Sequence, residues 1–82
     1  MIIELVDSPG SFLSVEDTAK AIAEAPNQKE AAKIYFFEVI QDSRKRSAEI
    51  GEKIHGAIRQ RWPKGLRRVK ELAWAYGERK WQ

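Results

Sequence analysis

The chain has 82 residues, enough for one small domain, and its 43% hydrophobic and 33% charged side chains are typical of globular proteins. It contains no cysteine and one histidine, which excludes disulfides, thiolate nucleophiles and cysteine-based zinc sites. The net charge of +3 hides an asymmetry, because residues 1–42 hold three basic and eight acidic side chains, whereas residues 43–82 hold twelve basic and four acidic ones. The second half therefore has the sign of charge needed to bind a polyanion.

A short apolar run, residues 2–6, is followed by the turn sequence Asp7-Ser8-Pro9-Gly10. The run predicts a strand or an extended arm. Since a single strand is not stable alone, it would pair with another chain or with an unidentified segment, or lie over the helices.

A first helix is predicted to begin after Ser14 and to end at about Ala25. Ser14 with Asp17 three residues later resembles a capping box, and Pro26 stops the helix. The apolar face of this helix consists of Val15, Thr18, Ala19, Ile22 and Ala23.

A second helix is predicted to follow Asn27, an N-cap residue with Glu30 at the third helical position. One broad apolar face is formed by Ala32, Tyr35, Phe36, Val39 and Ile40. Ile34 and Phe37 fall on the opposite side, so this helix is expected to be either the central helix of the domain or a dimer contact. The predicted homodimer interface consists of Ile34 and Phe37. Residues 34–40 also have high strand propensity, but the capped, alanine-rich start favours a helix.

A stripe of apolar residues predicts a third helix, which ends at a turn over residues 62–65. The stripe consists of Ile50, Ile54, Ala57, Ile58 and Trp62. Gly51 and Gly56 weaken this helix by about 1 kcal/mol each relative to alanine. They either allow a neighbour to approach closely or mark a helix end.

A fourth helix is predicted over residues 66–76, with Gly77 as its left-handed C′ residue and residues 78–82 as a flexible tail. Its apolar face consists of Leu66, Val69, Leu72, Ala73 and Tyr76. Residues 1–82 are therefore expected to form one all-α domain. The predicted architecture is a compact bundle of about four helices, with residues 1–10 as an extended arm or strand and turn.

The opposite face of the fourth helix is basic and aromatic, and the preceding turn adds further cations. The predicted nucleic-acid-binding residues are Arg59, Arg61, Lys64, Arg67, Arg68, Lys70 and Trp74. Arg59, Arg61 and Lys64 would approach phosphates near the turn. A tryptophan such as Trp74 on the solvent side is costly to leave uncovered and usually has a partner.

In their layout of helix, tight turn and basic second helix, residues 47–77 resemble small phage-type and repressor-type helix-turn-helix proteins. The resemblance implies a DNA-binding protein whose fourth helix enters the major groove, with Arg67 and Arg68 near base edges. The sequence differs from the signature of these proteins at two positions. Lys64 stands where an aliphatic residue belongs, and Arg61 stands where a small residue belongs.

Two other features could carry chemistry. Glu52 and His55 have the E-x-x-H spacing of di-iron bundles, but Glu52 lies almost opposite the apolar stripe, so no metal site is predicted. The basic cluster Arg44, Lys45 and Arg46 stands ahead of the third helix, where cations oppose the helix dipole, and this favours an external anion. The chain has no glycine-rich phosphate loop and no carboxylate pair on a shared apolar face, so no enzyme and no cofactor are expected.

The predicted function is sequence-specific or general binding of duplex DNA by a homodimeric transcriptional regulator or mobile-element accessory protein. The alternative is a small protein-interaction module, an inhibitor or adaptor, whose basic and aromatic surface docks on an acidic protein. No apolar run is long enough to span a membrane, and a cytoplasmic location is expected.

Overall fold

The computed structural model describes residues 13–42 and 49–80 and shows an all-α bundle. The four helices are α1 (Val15–Glu24), α2 (Gln28–Tyr35), α3 (His55–Arg61) and α4 (Leu66–Gly77). Helix α2 continues into a π-helical segment, Phe36–Ile40, and a second π-helical segment, Ile50–Ile54, leads into α3. The bundle of about four helices predicted from the sequence is confirmed.

Parts of the sequence interpretation lie outside the described residues. These are the arm or strand of residues 2–6 with its turn, the basic cluster of residues 44–46, and residues 81–82 at the end of the chain. Within the described ranges no strand is present, and the strand alternative for residues 34–40 is wrong because this segment is helical. None of the helices in those ranges is long and apolar enough to cross a membrane.

The predicted helix starts are confirmed by their capping hydrogen bonds. Ser14 Oγ accepts from the Asp17 N–H at 3.0 Å, and Asn27 Oδ1 accepts from the Glu30 N–H at 2.9 Å. Between these two caps, Ala25 leaves the helical conformation with ψ at 144°, because Pro26 disfavours a helical residue before it. Local sequence signals therefore determine where α1 ends and where α2 begins.

The buried residues of α1, α3 and α4 belong to the apolar stripes that the sequence predicts. Ala23 of the predicted α1 face is exposed, however, and Ala31 of α2 is buried although it lies outside the predicted broad face. The fully buried apolar side chains are Ile22, Ala31, Ala32, Ile54, Ile58, Val69 and Ala73. Each buried isoleucine contributes about 1.5–3 kcal/mol of hydrophobic stabilisation. Helix α2 packs most extensively against α4 and also contacts α1, which in turn contacts α3.

Two π turns lie on either side of the undescribed residues 43–48. The Gln41 N–H donates to the Phe36 carbonyl at 3.1 Å, and the His55 N–H donates to the Ile50 carbonyl. A π turn is wider than an α turn and rotates the side chains that follow it relative to a regular helix. A regular helical wheel therefore does not describe residues 36–40 or 50–54 accurately.

The predicted turn between α3 and α4 depends on a glycine. The Gly65 N–H donates to the Trp62 carbonyl at 2.7 Å, and a Cβ at Gly65 would lie 2.5 Å from Trp62 Cβ and 3.0 Å from Gln28 Nε2. Gly51 and Gly56 differ, because no described atom lies within 4 Å of a Cβ placed at either position. The interpretation that these two glycines admit a close neighbour is therefore wrong for the described part of the chain.

The C-terminus of α4 differs from the prediction. Gly77 is still helical, and Arg79 is the residue that adopts the left-handed conformation, with φ at 60°. The Arg79 N–H donates to the Tyr76 carbonyl at 3.1 Å, and the Lys80 N–H donates to the Ala75 carbonyl at 2.8 Å. These two bonds make a Schellman motif with Arg79 at C′, so the prediction of Gly77 as C′ is wrong.

Gly77 is required for a different reason, which is a contact with α2. A Cβ at Gly77 would lie 3.0 Å from Cζ of Phe36 and closer still to the neighbouring ring carbon. The Phe36 ring packs against the backbone of α4 at this point. The glycine thus permits a close helix contact, while the left-handed turn is placed two residues later on an arginine.

These two positions predict opposite effects on stability. Arg79→Gly removes the steric cost of a left-handed arginine and should stabilise the protein by about 1 kcal/mol. Gly77→Ala overlaps the Phe36 ring and should destabilise it by about 1–2 kcal/mol, even after the gain in helix propensity. Urea denaturation of the two variants measures both changes. A neutral or destabilising Arg79→Gly would contradict the Schellman assignment.

Candidate nucleic-acid interface

The outer face of α4 carries exposed cations at its start. Arg67 and Arg68 occupy the first turn, after the N-cap Gly65, which supplies no side-chain cap. Arg67 Nε lies 3.4 Å from Glu71 Oε2, and 90% of the Arg67 side chain is exposed. Because cations at a helix N-terminus oppose the helix dipole, an external anion would relieve this placement.

Trp74 lies on the same outer side of α4, one helical turn beyond Lys70. Its side chain is 55% exposed, which makes it one of the large hydrophobic residues that the fold leaves on the surface. The ring is therefore available for stacking on a partner rather than needed for the core.

A second group of cations lies where α3 and α4 meet. Arg59 is exposed and lies one turn after His55 on α3, whereas Lys70 of α4 is half-buried; the positive charges of both lower the pKa of the His55 imidazole. Neither cation makes an ion pair with any described residue. Arg67 and Trp74 adjoin Lys70 on α4 at helical spacing. We refer to Arg59, Arg67, Lys70 and Trp74 together as the basic edge.

His55 is held from α2 by Tyr35. The Tyr35 hydroxyl lies 2.9 Å from His55 Nε2, and the rings stack with centroids 5.7 Å apart and planes inclined by 16°. Burial raises the pKa of Tyr35 and lowers the pKa of His55, and the positive charges of Lys70 and Arg59 lower the latter further. Both shifts favour the neutral forms of the two rings, which share one hydrogen bond between the hydroxyl oxygen and Nε2.

The sequence interpretation missed this pair. The spacing of Glu52 and His55 drew attention to metal binding, whereas the partner of His55 is 20 residues away on another helix. A local signal does exist, since both rings border an apolar stripe and a half-buried polar ring needs a hydrogen-bond partner. Which partner it takes depends on the packing of α2 against α3.

Arg61 lies away from the basic edge. Its Nη1 donates to the Ala23 carbonyl and, at 3.4 Å, to the Ile22 carbonyl, and its guanidinium lies 4.5 Å from the centre of the Trp62 ring. The two carbonyls belong to the last turn of α1, which contains no basic residue of its own. Arg61 thus satisfies carbonyl groups at the end of α1 and connects α3 to α1.

The remaining predicted cations lie on other sides of the turn. Lys64 is exposed within the turn itself. Arg68 lines a shallow cleft with Trp62, Leu72 and the start of α2, on the flank of α4 away from Lys70. Arg67, Lys70 and Trp74 therefore share one side of α4, and Arg68 lies on its opposite flank. The exposed Arg61 guanidinium is directed to the end of α1.

The two predicted dimer residues have different environments. Ile34 is half-buried and packs against the core, whereas the Phe37 side chain is 43% exposed. The Phe37 ring makes edge-to-face contacts with Phe36 and Tyr76, with centroids 5.3 and 5.6 Å away. These rings line an open recess between α2 and α4. Phe37 is therefore the exposed member of an aromatic cluster.

Glu52 and His55 do not come together as ligands. Glu52 is exposed and lines the groove between α3 and α1, while His55 faces Tyr35 on the other side of the helix. Among residues 13–42 and 49–80, no three histidine or carboxylate side chains form a group that could hold a metal ion.

Comparisons with protein-family models, curated proteins and solved structures found no match to this chain. Its function is therefore inferred from the geometry and charge of its own side chains.

The two arginines of α3 predict a contrast in stability. Arg61→Gln removes a charged hydrogen-bond donor from the end of α1 and should destabilise the protein by about 1–2 kcal/mol. Arg59→Gln, the matched control on the same helix, should change stability by less than about 0.5 kcal/mol. Thermal unfolding of both variants checks this. Equal melting temperatures for the two would show that the Arg61 contacts do not stabilise the fold.

Proposed function

We propose that this protein binds duplex DNA through α3 and α4, as a small transcriptional regulator or an accessory protein of a mobile element. The observation that carries the proposal is the pair Arg59 and Lys70. These cations come from successive helices, both lower the pKa of the His55 imidazole, and neither makes an ion pair with a described residue. Positive charges without such partners attract a polyanion.

For α3 and α4 we propose a helix-turn-helix mode of binding. Helix α4 follows α3 after a tight turn, and its outer face presents Arg67 and Arg68 in the first turn. In this proposal the outer face of α4 enters the major groove, and Arg59, Lys64 and Lys70 contact phosphates beside it. Trp74 packs on the sugar-phosphate backbone with its exposed ring.

The ion pair of Arg67 with Glu71 does not prevent this use. Both side chains are largely exposed, and an exposed pair at this helical spacing contributes only about 0.3–0.5 kcal/mol. A phosphate or a guanine edge offers Arg67 a stronger, bidentate partner. Arg61 is not needed for binding in this proposal, because its guanidinium donates to carbonyl groups at the end of α1.

The proposal includes a homodimer formed through Phe37. The exposed Phe37 ring belongs to the aromatic cluster at α2, away from the basic edge on α3 and α4. A second copy placed there would leave both basic edges free. Two recognition helices related by a two-fold axis could then bind two half-sites of a symmetric operator.

Affinity for duplex DNA should fall steeply as salt is raised. Release of counterions from about four neutralised phosphates gives a slope of about −3.6 in a plot of log K against log salt. Lys70→Gln should reduce the magnitude of this slope by about 1. Trp74→Ala should lower affinity while leaving the melting temperature nearly unchanged, because its ring is half-exposed. Fluorescence anisotropy of a labelled duplex measures these affinities.

The matched control for Lys70→Gln is Lys20→Gln on α1. Lys20 is exposed, makes no ion pair with a described residue and lines the groove on the opposite side of α3. The same loss of charge there should leave the slope nearly unchanged. Binding that is undetectable at low salt, or insensitive to salt, would refute the DNA proposal and favour docking on an acidic protein.

Light scattering tests the dimer separately. The unmodified chain should have twice the mass of one chain, and Phe37→Glu should give monomers because it places a charge in an apolar interface. Trp74→Glu, a change at a similarly exposed ring on α4, should leave the dimer intact. A monomeric mass for the unmodified chain would end the dimer proposal and leave the DNA proposal standing.

A further inference from the structure

An open apolar groove, the α1–α2 groove, lies between the first two helices and holds a volume of about 280 Å³. Two of the large hydrophobic side chains that are exposed in the described ranges line it, Leu13 at 39% and Phe37 at 43% exposure. Ala21 of α1 and Ile34 of α2 complete its apolar lining. Large apolar side chains that are exposed side by side mark a surface that another segment or a partner covers.

The charged side chains at the edge of the α1–α2 groove have partners within the fold. Lys33 Nζ lies 3.5 Å from Glu30 Oε1, and Glu38 Oε1 accepts a hydrogen bond from the Leu13 N–H at 2.8 Å. The surface that the groove offers to an occupant is therefore mainly apolar. Because burying a charge without a partner is costly, such a surface favours an apolar segment.

The hydrogen bond between Leu13 and Glu38 determines where the preceding chain meets the groove. It joins residues 25 positions apart and holds the Leu13 backbone beside the π-helical segment that follows α2. Residues 1–12 lie outside the described residues, and they include the apolar run of residues 2–6. Only residues 7–12 separate this run from Leu13. An apolar segment is thus tethered to one end of an apolar groove.

We propose that the apolar run folds back at the turn of residues 7–10 and lies as an extended strand in the α1–α2 groove of its own chain. A four-residue turn brings the Cα atoms of its two ends within about 7 Å of each other. The run therefore starts beside the residues that lead into Leu13 and extends from there along α1 toward Ala21. This inference goes beyond the proposed function and does not depend on DNA binding.

The dimensions of the groove and of the run agree. Glu30 and Phe37, which both line the groove, are seven residues apart on the helix, a rise of about 10 Å. Extended chain rises about 3.3 Å per residue, so three residues span this length. Alternate side chains of a strand point to opposite sides, which allows Ile3 and Leu5 to face the groove while Glu4 faces solvent. This register buries two aliphatic side chains and no charge.

The arrangement gives the apolar run and a second copy of the chain separate surfaces. The Phe37 ring borders both the α1–α2 groove and the open recess between α2 and α4. The run covers Ile34 and the groove side of this ring. The side toward Tyr76, whose ring centroid lies 5.6 Å away, is left for the proposed homodimer. Ile34 is then covered within its own chain and is not part of the dimer interface.

Nuclear Overhauser spectra of the unmodified chain test the contact directly. Cross-peaks should join the methyl groups of Ile3 and Leu5 to the Ile34 methyl groups and the Phe37 ring. In a sample that mixes isotope-labelled and unlabelled chains, filtered spectra show only contacts between chains, and these cross-peaks should be absent from them. Cross-peaks found only in the filtered spectra would assign the groove to a second copy and overturn the proposal. A run without any cross-peak to the groove would also overturn it.

Two neighbouring isoleucines provide a matched pair of variants for a second measurement. Ile3→Asn places a polar side chain in the groove and should lower the melting temperature by roughly 5–10 °C. Ile2→Asn, the same change on the solvent side of the strand, should shift it by less than about 2 °C. Equal shifts for the two variants, or a larger shift for Ile2→Asn, would contradict the proposed register.

Light scattering separates this proposal from the proposed homodimer. Ile3→Asn should have the same mass as the unmodified chain, because the change does not reach the side of Phe37 that faces Tyr76. A loss of mass in Ile3→Asn would show that the apolar run takes part in the contact between copies and would overturn its docking within one chain. None of these measurements involves DNA, so their failure leaves the proposed function standing.

Discussion

The packing of α2 against α4 is the contact on which the rest of the structure depends. It is the most extensive contact between helices in the described part of the chain, and directly after α2 the Phe36 ring occupies the space that a Cβ on Gly77 would need. Because α2 also carries Tyr35, this packing brings the phenol to His55 and orders the junction of α3 and α4. As a consequence, the outer face of α4, which carries Arg67, is exposed to solvent.

The described cations of the second half of the chain differ in whether they make contacts that stabilise the fold. Arg61 stabilises the fold, because its guanidinium donates to carbonyl groups at the end of α1 and lies over the Trp62 ring. Arg59 and Lys70 make no ion pair with a described residue, and their charges add to the effect of burial in lowering the pKa of the His55 imidazole. Positive charges without a counter-charge among the described residues are a surface that a polyanion stabilises. The proposed function is inferred from Arg59 and Lys70 and not from Arg61.

Much of the fold could be predicted from the sequence because its signals are local. Ser14, Asn27 and Pro26 act within a few residues of the helix ends that they determine. The apolar stripes predicted which residues of α1, α3 and α4 are buried, because the residues of each stripe recur at helical spacing, as Ile54 and Ile58 do.

The features that could not be predicted all depend on contacts between distant residues. Gly77 looks like a C′ glycine in the sequence, and only the position of the Phe36 ring shows that it serves a helix contact. The cap that Arg61 provides joins residues 38 positions apart in the chain. The helical spacing of α4 was enough to predict that Trp74 is exposed on its outer face, but the positions of Arg61 and Arg68 relative to the other helices depend on the three-dimensional packing.

The central claim is that α4 and the basic edge contact duplex DNA, and titration of the isotope-labelled protein with a duplex tests it most directly. NMR spectra that resolve backbone amides and tryptophan indole groups should show changes at the Trp74 indole and along residues 66–74 of α4. The groove that contains Lys20 should be unaffected. Changes confined to Phe37 and Tyr76, or no change at low salt, would contradict the account.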